Sequence, residues 1–137
     1  MSVFTYDPKK TSISLGGHIV TGYAEDTFVN IDPNGDGVTK KVGCDGAVSR
    51  SLNPDQSYVV KITVMQTSPT NGYLEGMVKA DRSGGGGIFP IMIKDLQGSM
   101  QFSASEAWAV SSAPITRGKE IGNREWTIHT ADGEISE

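Results

Sequence analysis

Cysteine occurs once, at Cys44, so no internal disulfide can close and no multi-cysteine zinc site can assemble. That usage suits a reducing compartment, and the plain reading of Cys44 is a small strand residue. No apolar run approaches the roughly 18 residues of a membrane span, and the opening MSVFTYDPKK carries no apolar signal core. Neither export nor membrane insertion is expected. Basic clusters are missing as well: no run of Lys or Arg exceeds two neighbours, and 16 acidic against 12 basic residues leave a net charge of −4. Nucleic-acid binding by phosphate neutralisation is therefore disfavoured. Aromatics are few, at 7 %, while 17 glycines favour turns and short strands over helices. The 137 residues suffice for one domain, 1–137, with a single hydrophobic core.

What is present reads mostly as β. Ile13 and Leu15 alternate with polar neighbours, Gly16-Gly17 turns, and His18 to Thr21 returns, the signature of a hairpin. Phe28 to Ile31 is a short strand ending at DPNGDG, whose Pro, Asn and Gly suit a reversal. Val38 to Cys44 and Ala47 to Ser51 read as polar strands with little apolar surface, broken at Asp45-Gly46. Tyr58 to Met65 is the clearest strand, with Tyr58, Val60, Ile62 and Val64 on one face, and is expected to lie centrally.

Ser68-Pro69 resembles an N-cap followed by Pro at the first helical position, and Tyr73, Leu74, Met77 and Val78 recur at helical spacing, predicting one helix over about 69–81. SGGGG at 83–87 is expected to be a flexible exit loop. Three further strands follow: Ile88 to Lys94, Met100 to Ser111 with Met100, Phe102, Ala104 and Trp108 sharing a face, and Asn123 to Ala131 with Trp126 and Ile128. The terminal ADGEISE is acidic and apolar-poor and is expected to fray.

No catalytic set emerges. Asp32, Asn34, Asp36 and Gly37 match positions 1, 3, 5 and 6 of a calcium loop, but position 12 is Gly43 instead of Glu and the flanks read as strands, so a plain turn is the simpler reading. His18 and His129 have no companion at metal-ligand spacing and read as solvated strand residues. There is no nucleophile elbow, and Asp45 beside Cys44 disfavours a thiolate. Glu25 and Asp26 are adjacent, which on a strand puts them on opposite faces. Gly84 to Gly87 lacks the Lys-Ser/Thr that a phosphate loop needs. Neither enzymatic activity, nor a cofactor, nor a metal is expected, and the polar strands make sense if other copies of the chain satisfy their edges.

The stretch from Asp45 to Met77, DGAVSRSLNPDQSYVVKITVMQTSPTNGYLEGM, resembles the tail tube proteins of tailed bacteriophages, particularly those with contractile tails. The order is an acidic-Gly turn, a strand ending in Arg-Ser, an Asn/Asp loop, a Val/Ile-rich strand, Gln-Thr-Ser and an Asn-led helix. More loosely the likeness runs through DPKKTSISLGGHIVTGYAED, Asp32 to Asp36 and the strand around Trp126. The resemblance implies a mainly β chain, a β-sandwich or barrel-like core with one flanking helix, assembling as homo-hexameric rings that stack into a hollow tube. It implies a place in the virion tail, assembled in the host cytoplasm, with sheath, baseplate and tail terminator as partners and DNA passing through the lumen without specific binding. A tube of a phage-like contractile injection machine or bacteriocin is the near alternative, and a monomeric calcium-dependent module the distant one.

In the family a loop between two early strands reaches a neighbouring ring. Its best match here is 34–51, where Asp36, Lys40, Lys41, Asp45 and Arg50 are candidates for inter-subunit or inter-ring contact. An acidic lumen would keep DNA from adhering, with Glu25, Asp26, Asp32, Asp36 and Glu106 as candidates, each of which fits the outer wall equally well. Tyr73, Leu74, Met77 and Val78 are the candidate packing face of the helix. Gln101, Ser103, Ser105 and Ala107 set against Met100, Phe102, Ala104 and Trp108 suit a wall strand wet on one side, and equally an ordinary half-solvated sheet.

Overall fold

The computed structural model describes residues 2–137. Alternation of apolar and polar residues sets almost every strand. A short 3-10 turn, Pro8–Lys10, leads into β1 (Thr11–Leu15) and β2 (His18–Ile19), joined by a tight turn at Gly16-Gly17 in which Gly16 takes φ 64°. Next come β3 (Val29–Pro33), β4 (Val38–Val42), β5 (Val48–Leu52) and β6 (Tyr58–Met65). A helix, α1 (Thr70–Gly84), precedes β7 (Phe89–Asp95), β8 (Gln101–Ala109), β9 (Asn123–Thr130) and β10 (Glu134–Ser136).

Eight strands form one antiparallel wall in the order β2-β1-β7-β8-β9-β6-β3, with β10 added to β8. The chain leaving β2 crosses to the far side of this wall: Met65 N–H donates to Gly22 C=O at 2.8 Å and Ala24 N–H to Thr63 C=O at 3.2 Å. One covalent segment thus ties the β1 side of the wall to β6, with Tyr23 bridging Val64. β6 lies between β9 and β3, near one end of the order instead of at its centre.

Register turns alternation into a core. Ile13 faces Ile93, which faces Phe102; Ile62 faces both Val29 and Trp126; Val60 faces both Ile31 and Ile128. Ile13, Ile93, Phe102, Ile62, Trp126, Val60 and Ile128 are all fully buried. Each such side chain contributes about 1.5–3 kcal/mol relative to exposure, so these rows hold the wall. Leu74 and Val78 bring α1 into the same cluster, and Tyr73 and Met77 pack half-buried at its margin.

Four local expectations are corrected. A bulge in β8 places Ala107 opposite Phe89 and Ala104 opposite Ile91, so an extra residue enters between them. Inside and outside therefore exchange: Ala107 and Ala109 are buried, and Trp108 leaves the face of Phe102 and Ala104. The glycines after the helix form a C-terminal cap instead of a flexible loop. Ser83 and Gly84 are helical, Gly85 takes φ 76° with its N–H on the Ala80 and Asp81 carbonyls, and Gly87 N–H donates to Asp81 Oδ1 at 2.8 Å.

The C-terminal residues are ordered because β9 covers only Ala107–Ala109 of β8. That leaves Gln101–Ser103 free for Ser136, Ile135 and Glu134 to pair with. Cys44 is exposed in the β4–β5 turn and belongs to no strand.

Candidate assembly surfaces

β4 and β5 stand apart from the wall as a two-stranded arm, and every residue in both strands is exposed. Its pairs are Val38 with Leu52, Lys40 with Arg50 and Val42 with Val48 on one face, and Thr39 with Ser51 and Lys41 with Ser49 on the other. The expectation of little apolar surface is wrong for the first face. Val38, Val42, Val48 and Leu52 are 46, 57, 61 and 75 % exposed. They fall in register because the strands pair symmetrically about the tip, which sequence alternation alone does not fix.

At that tip Asp45 Oδ1 accepts from Ala47 N–H at 3.0 Å and Gly46 takes φ 90°. Asp45 is thus a turn-forming residue. The base is fastened by hydrogen bonds, with Asn53 N–H donating to Gly37 C=O at 2.8 Å and Asn53 Nδ2 to the Asp36 carbonyl at 3.1 Å. Asn34 Nδ2 reaches Ser57 Oγ at 3.1 Å. Asp55, missed in the sequence, accepts from the Ser57 hydroxyl at 2.6 Å and the Ser57 N–H at 2.9 Å, and those bonds hold its carboxyl below the usual range. Asn34 and Asp36 thus serve the arm's base, and among the described residues no group of three or more His, Cys, Asp or Glu is arranged to hold a metal ion.

The acidic candidates are scattered over different elements. Asp32 lies on β3 opposite Val59, whose other neighbour is His129 of β9. Glu25 accepts from Asn123 Nδ2 at 3.3 Å, Asp26 lies beside it in the β2–β3 segment, and Glu106 sits at the β8 bulge. All four are exposed. The face of β1, β7 and β8 turned from the core instead carries Ser12, Ser14, Met92, Lys94, Gln101 and Ser103.

Sequence reading also missed how α1 is fixed. Arg124 is 5 % exposed and donates to Glu75 Oε1 at 2.8 Å and to the Ala113 carbonyl at 2.9 Å, with its guanidinium 4.8 Å from the Trp126 ring centroid. Its Nε has no partner. Glu75 also accepts from Ser112 Oγ, and the Ser112 bond followed by the Arg124 bond holds its carboxyl below the ordinary value. Asn71 accepts from Trp126 Nε1 at 2.9 Å and donates to the Met65 and Gln66 carbonyls. His18, expected to be solvated, shares a 2.9 Å hydrogen bond with Thr70 and stacks on Tyr73 at 4.7 Å. For the ion pair the signal was an Arg placed in phase with Trp126 and Ile128, since a buried charge calls for an acidic partner.

No model of a known protein family matches the chain. Over 132 residues, 90 % of this chain and 76 % of the relative, it is 26 % identical to structural protein ORF10 of Pseudomonas phage KPP10. A chain in the cryo-EM structure of the anti-feeding prophage cap, the AFP tube terminating cap, shares the fold at TM-score 0.68 and 13 % identity, covering 98 % of this chain and 93 % of that one. The PVC sheath/tube terminator of an extracellular contractile injection system does so at 0.68 and 13 %, covering 98 % and 99 %. The PVC sheath-tube complex in the extended state contains a chain at 0.66 and 14 %, covering 96 % and 91 %. These structures share the fold of this chain. The phage relative is itself a structural protein.

Proposed function

We propose that this chain is a tail tube protein, a structural and non-catalytic subunit that assembles as hexameric rings stacked into a hollow tube conducting DNA. The observation that carries the reading is the arm. An isolated two-stranded ribbon is marginal in water, yet this one stands off the wall with four apolar side chains uncovered. In a stack the arm meets the neighbouring ring and loses that exposed surface, while sheath, baseplate and terminator meet the tube's outer wall and ends. The net charge of −4 suits a bore through which phosphate slides without adhering. Such a tube belongs to the virion tail and assembles in the host cytoplasm.

A second reading, the tube terminator, is favoured by the fold shared with two terminating structures. Electron microscopy of the concentrated protein separates the two. A tube protein gives open-ended hollow filaments of stacked rings, a terminator gives single rings that do not elongate, and a persistent monomer at millimolar concentration overturns both.

A further inference from the structure

The chain carries two Asn-Gly pairs, Asn34-Gly35 and Asn71-Gly72, and the fold treats them oppositely. In such a pair the side-chain amide is open to attack by the backbone nitrogen that follows, because glycine puts no Cβ in the way and lets the chain turn freely. Asn34-Gly35 lies in the exposed turn after β3. Gly35 takes φ 95°, a Cβ built on it would meet nothing within 4 Å, and among the described residues no hydrogen bond occupies its N–H. The Asn34 side chain is held by one exposed bond, Nδ2 to Ser57 Oγ at 3.1 Å.

Asn71 is 6 % exposed in the first turn of α1, and its amide is locked at both ends. Its Oδ1 accepts from Trp126 Nε1 at 2.9 Å, and its Nδ2 donates to the Met65 and Gln66 carbonyls at 3.1 and 3.2 Å. We infer that Asn34 is a self-modification site, converting to aspartate or isoaspartate in the folded chain while Asn71 stays intact, and that the conversion loosens the root of the β4–β5 arm. The chemistry needs only the chain and water, and holds for tube and terminator alike.

The Gly35 nitrogen, deprotonated by solvent hydroxide, bonds to Asn34 Cγ and closes a five-membered succinimide. The Cγ–Nδ2 bond breaks and ammonia leaves, taking a proton from water and returning the hydroxide. Water then opens the ring at Cγ to give aspartate, or at the main-chain carbonyl carbon to give isoaspartate, whose backbone is longer by one methylene. Nothing is oxidised or reduced; an amide and water become a carboxylate and ammonium.

The consequence follows from a proton count at the arm's root. Ser57 has a single hydroxyl proton and donates it to Asp55 Oδ1 at 2.6 Å, so its oxygen can only accept from position 34. Asn34 supplies that donor; a carboxylate there cannot. The bond is lost, and the new charge stands beside Asp55 and between Asp32 and Asp36 in the chain, where like charges repel. The bonds from Asn53 to Gly37 and Asp36 are left to hold the root.

The test begins with wild-type protein aged at mildly alkaline pH and body temperature, its tryptic peptides 11–40 and 62–79 weighed against an unaged sample. Peptide 11–40 is expected to gain about 1 Da, the excess of OH over NH2, and to yield an isoaspartyl form. Its rate should exceed that of 62–79 at least about a hundredfold, since Asn71 reacts only when α1 opens. In urea the two rates should converge to within about threefold, because unfolding removes the protection. Asn34→Gln, which would have to close a larger ring, leaves 11–40 unchanged.

Asn34→Asp reads the consequence. Limited trypsin cleavage at Lys40, Lys41 and Arg50 is expected to be about two- to tenfold faster than in the wild type, as loss of one hydrogen bond implies. Circular dichroism shows that the variant folds, and the aged wild-type fraction separated by charge gives the same reading without a substitution. An unchanged peptide 11–40, equal rates for 11–40 and 62–79 in the folded protein, rates that stay apart in urea, or arm cleavage no faster in either form overturns the inference. None of these outcomes touches filament formation, by which the tube reading stands or falls.

Discussion

The wall and the arm are built from the same residue types and obey opposite rules. In β6, Val60, Ile62 and Val64 are fully buried, whereas in β4 and β5 Val38, Val42, Val48 and Leu52 lie in solvent. A valine in the wall is held by rows on both sides and by α1 beneath; a valine in the arm has one cross-strand partner and water. The difference shows that the wall's apolar contacts are internal to one chain, whereas the arm's apolar side chains have only their cross-strand partners and solvent.

Breaking the wall has the largest expected effect. Trp126→Ala removes a fully buried ring that fills the row between Ile62 and α1 and that donates to Asn71. It is expected to cost about 3–5 kcal/mol in chemical denaturation, and a loss below about 1 kcal/mol would mean that the core does not depend on this row.

Next comes the join between wall and helix. Glu75→Gln leaves the Arg124 charge, 5 % exposed, without its anion and is expected to cost roughly 2 kcal/mol, less than for a fully enclosed pair because Glu75 is 28 % exposed. The same pair sets an acid limb. The folded carboxyl lies below its ordinary value of 4.5, so its contribution is fully present above 4.5 and is lost as pH falls through the lowered folded value. Melting temperature followed through that range should fall less steeply in Glu75→Gln than in the wild type.

A smaller effect is expected at Gly133. A Cβ there would come to 2.5 Å from Tyr58 Cδ1 and 2.9 Å from Phe102 Cε1. Gly133→Ala should cost about 1–2 kcal/mol, as overpacking does, and a melting curve identical to wild type would show that these rings move aside freely.

The smallest expected effect on the monomer sharpens the contrast. Excising 38–52 and joining Gly37 to Asn53 through two glycines removes only exposed residues. Unfolding of the monomer should change by less than about 0.5 kcal/mol, in line with surface changes. The same excision should abolish filament formation under electron microscopy, and an arm that also supports the wall would instead lower the melting temperature.

Alternation made β1, β6, β7 and β9 legible, because a strand with one face buried writes its period into the chain. β8 misled at Trp108: a bulge adds one residue, the phase flips after it, and nothing in the local pattern marks where the neighbouring strand requires that flip. The Arg124–Glu75 pair was illegible for a related reason, since its members lie 49 residues apart and meet only through the packing of α1 on β9. In the arm, both strands and the turn were readable, but whether Val38 and Leu52 share a face depends on pairing register. Glu134, read as part of a fraying tail, is ordered opposite Ser103 because β10 completes the β8 ladder.

The amino-acid sequence alone determined a strand-rich chain with one helix and no cluster of basic residues, since periodicity, turn chemistry and charge are local properties. The three-dimensional packing decided which edges were sealed, where the bulge exchanged inside for outside, and that a ribbon with a basic pair would be left standing free. Those are outcomes of contacts between distant segments, which no single stretch of chain encodes.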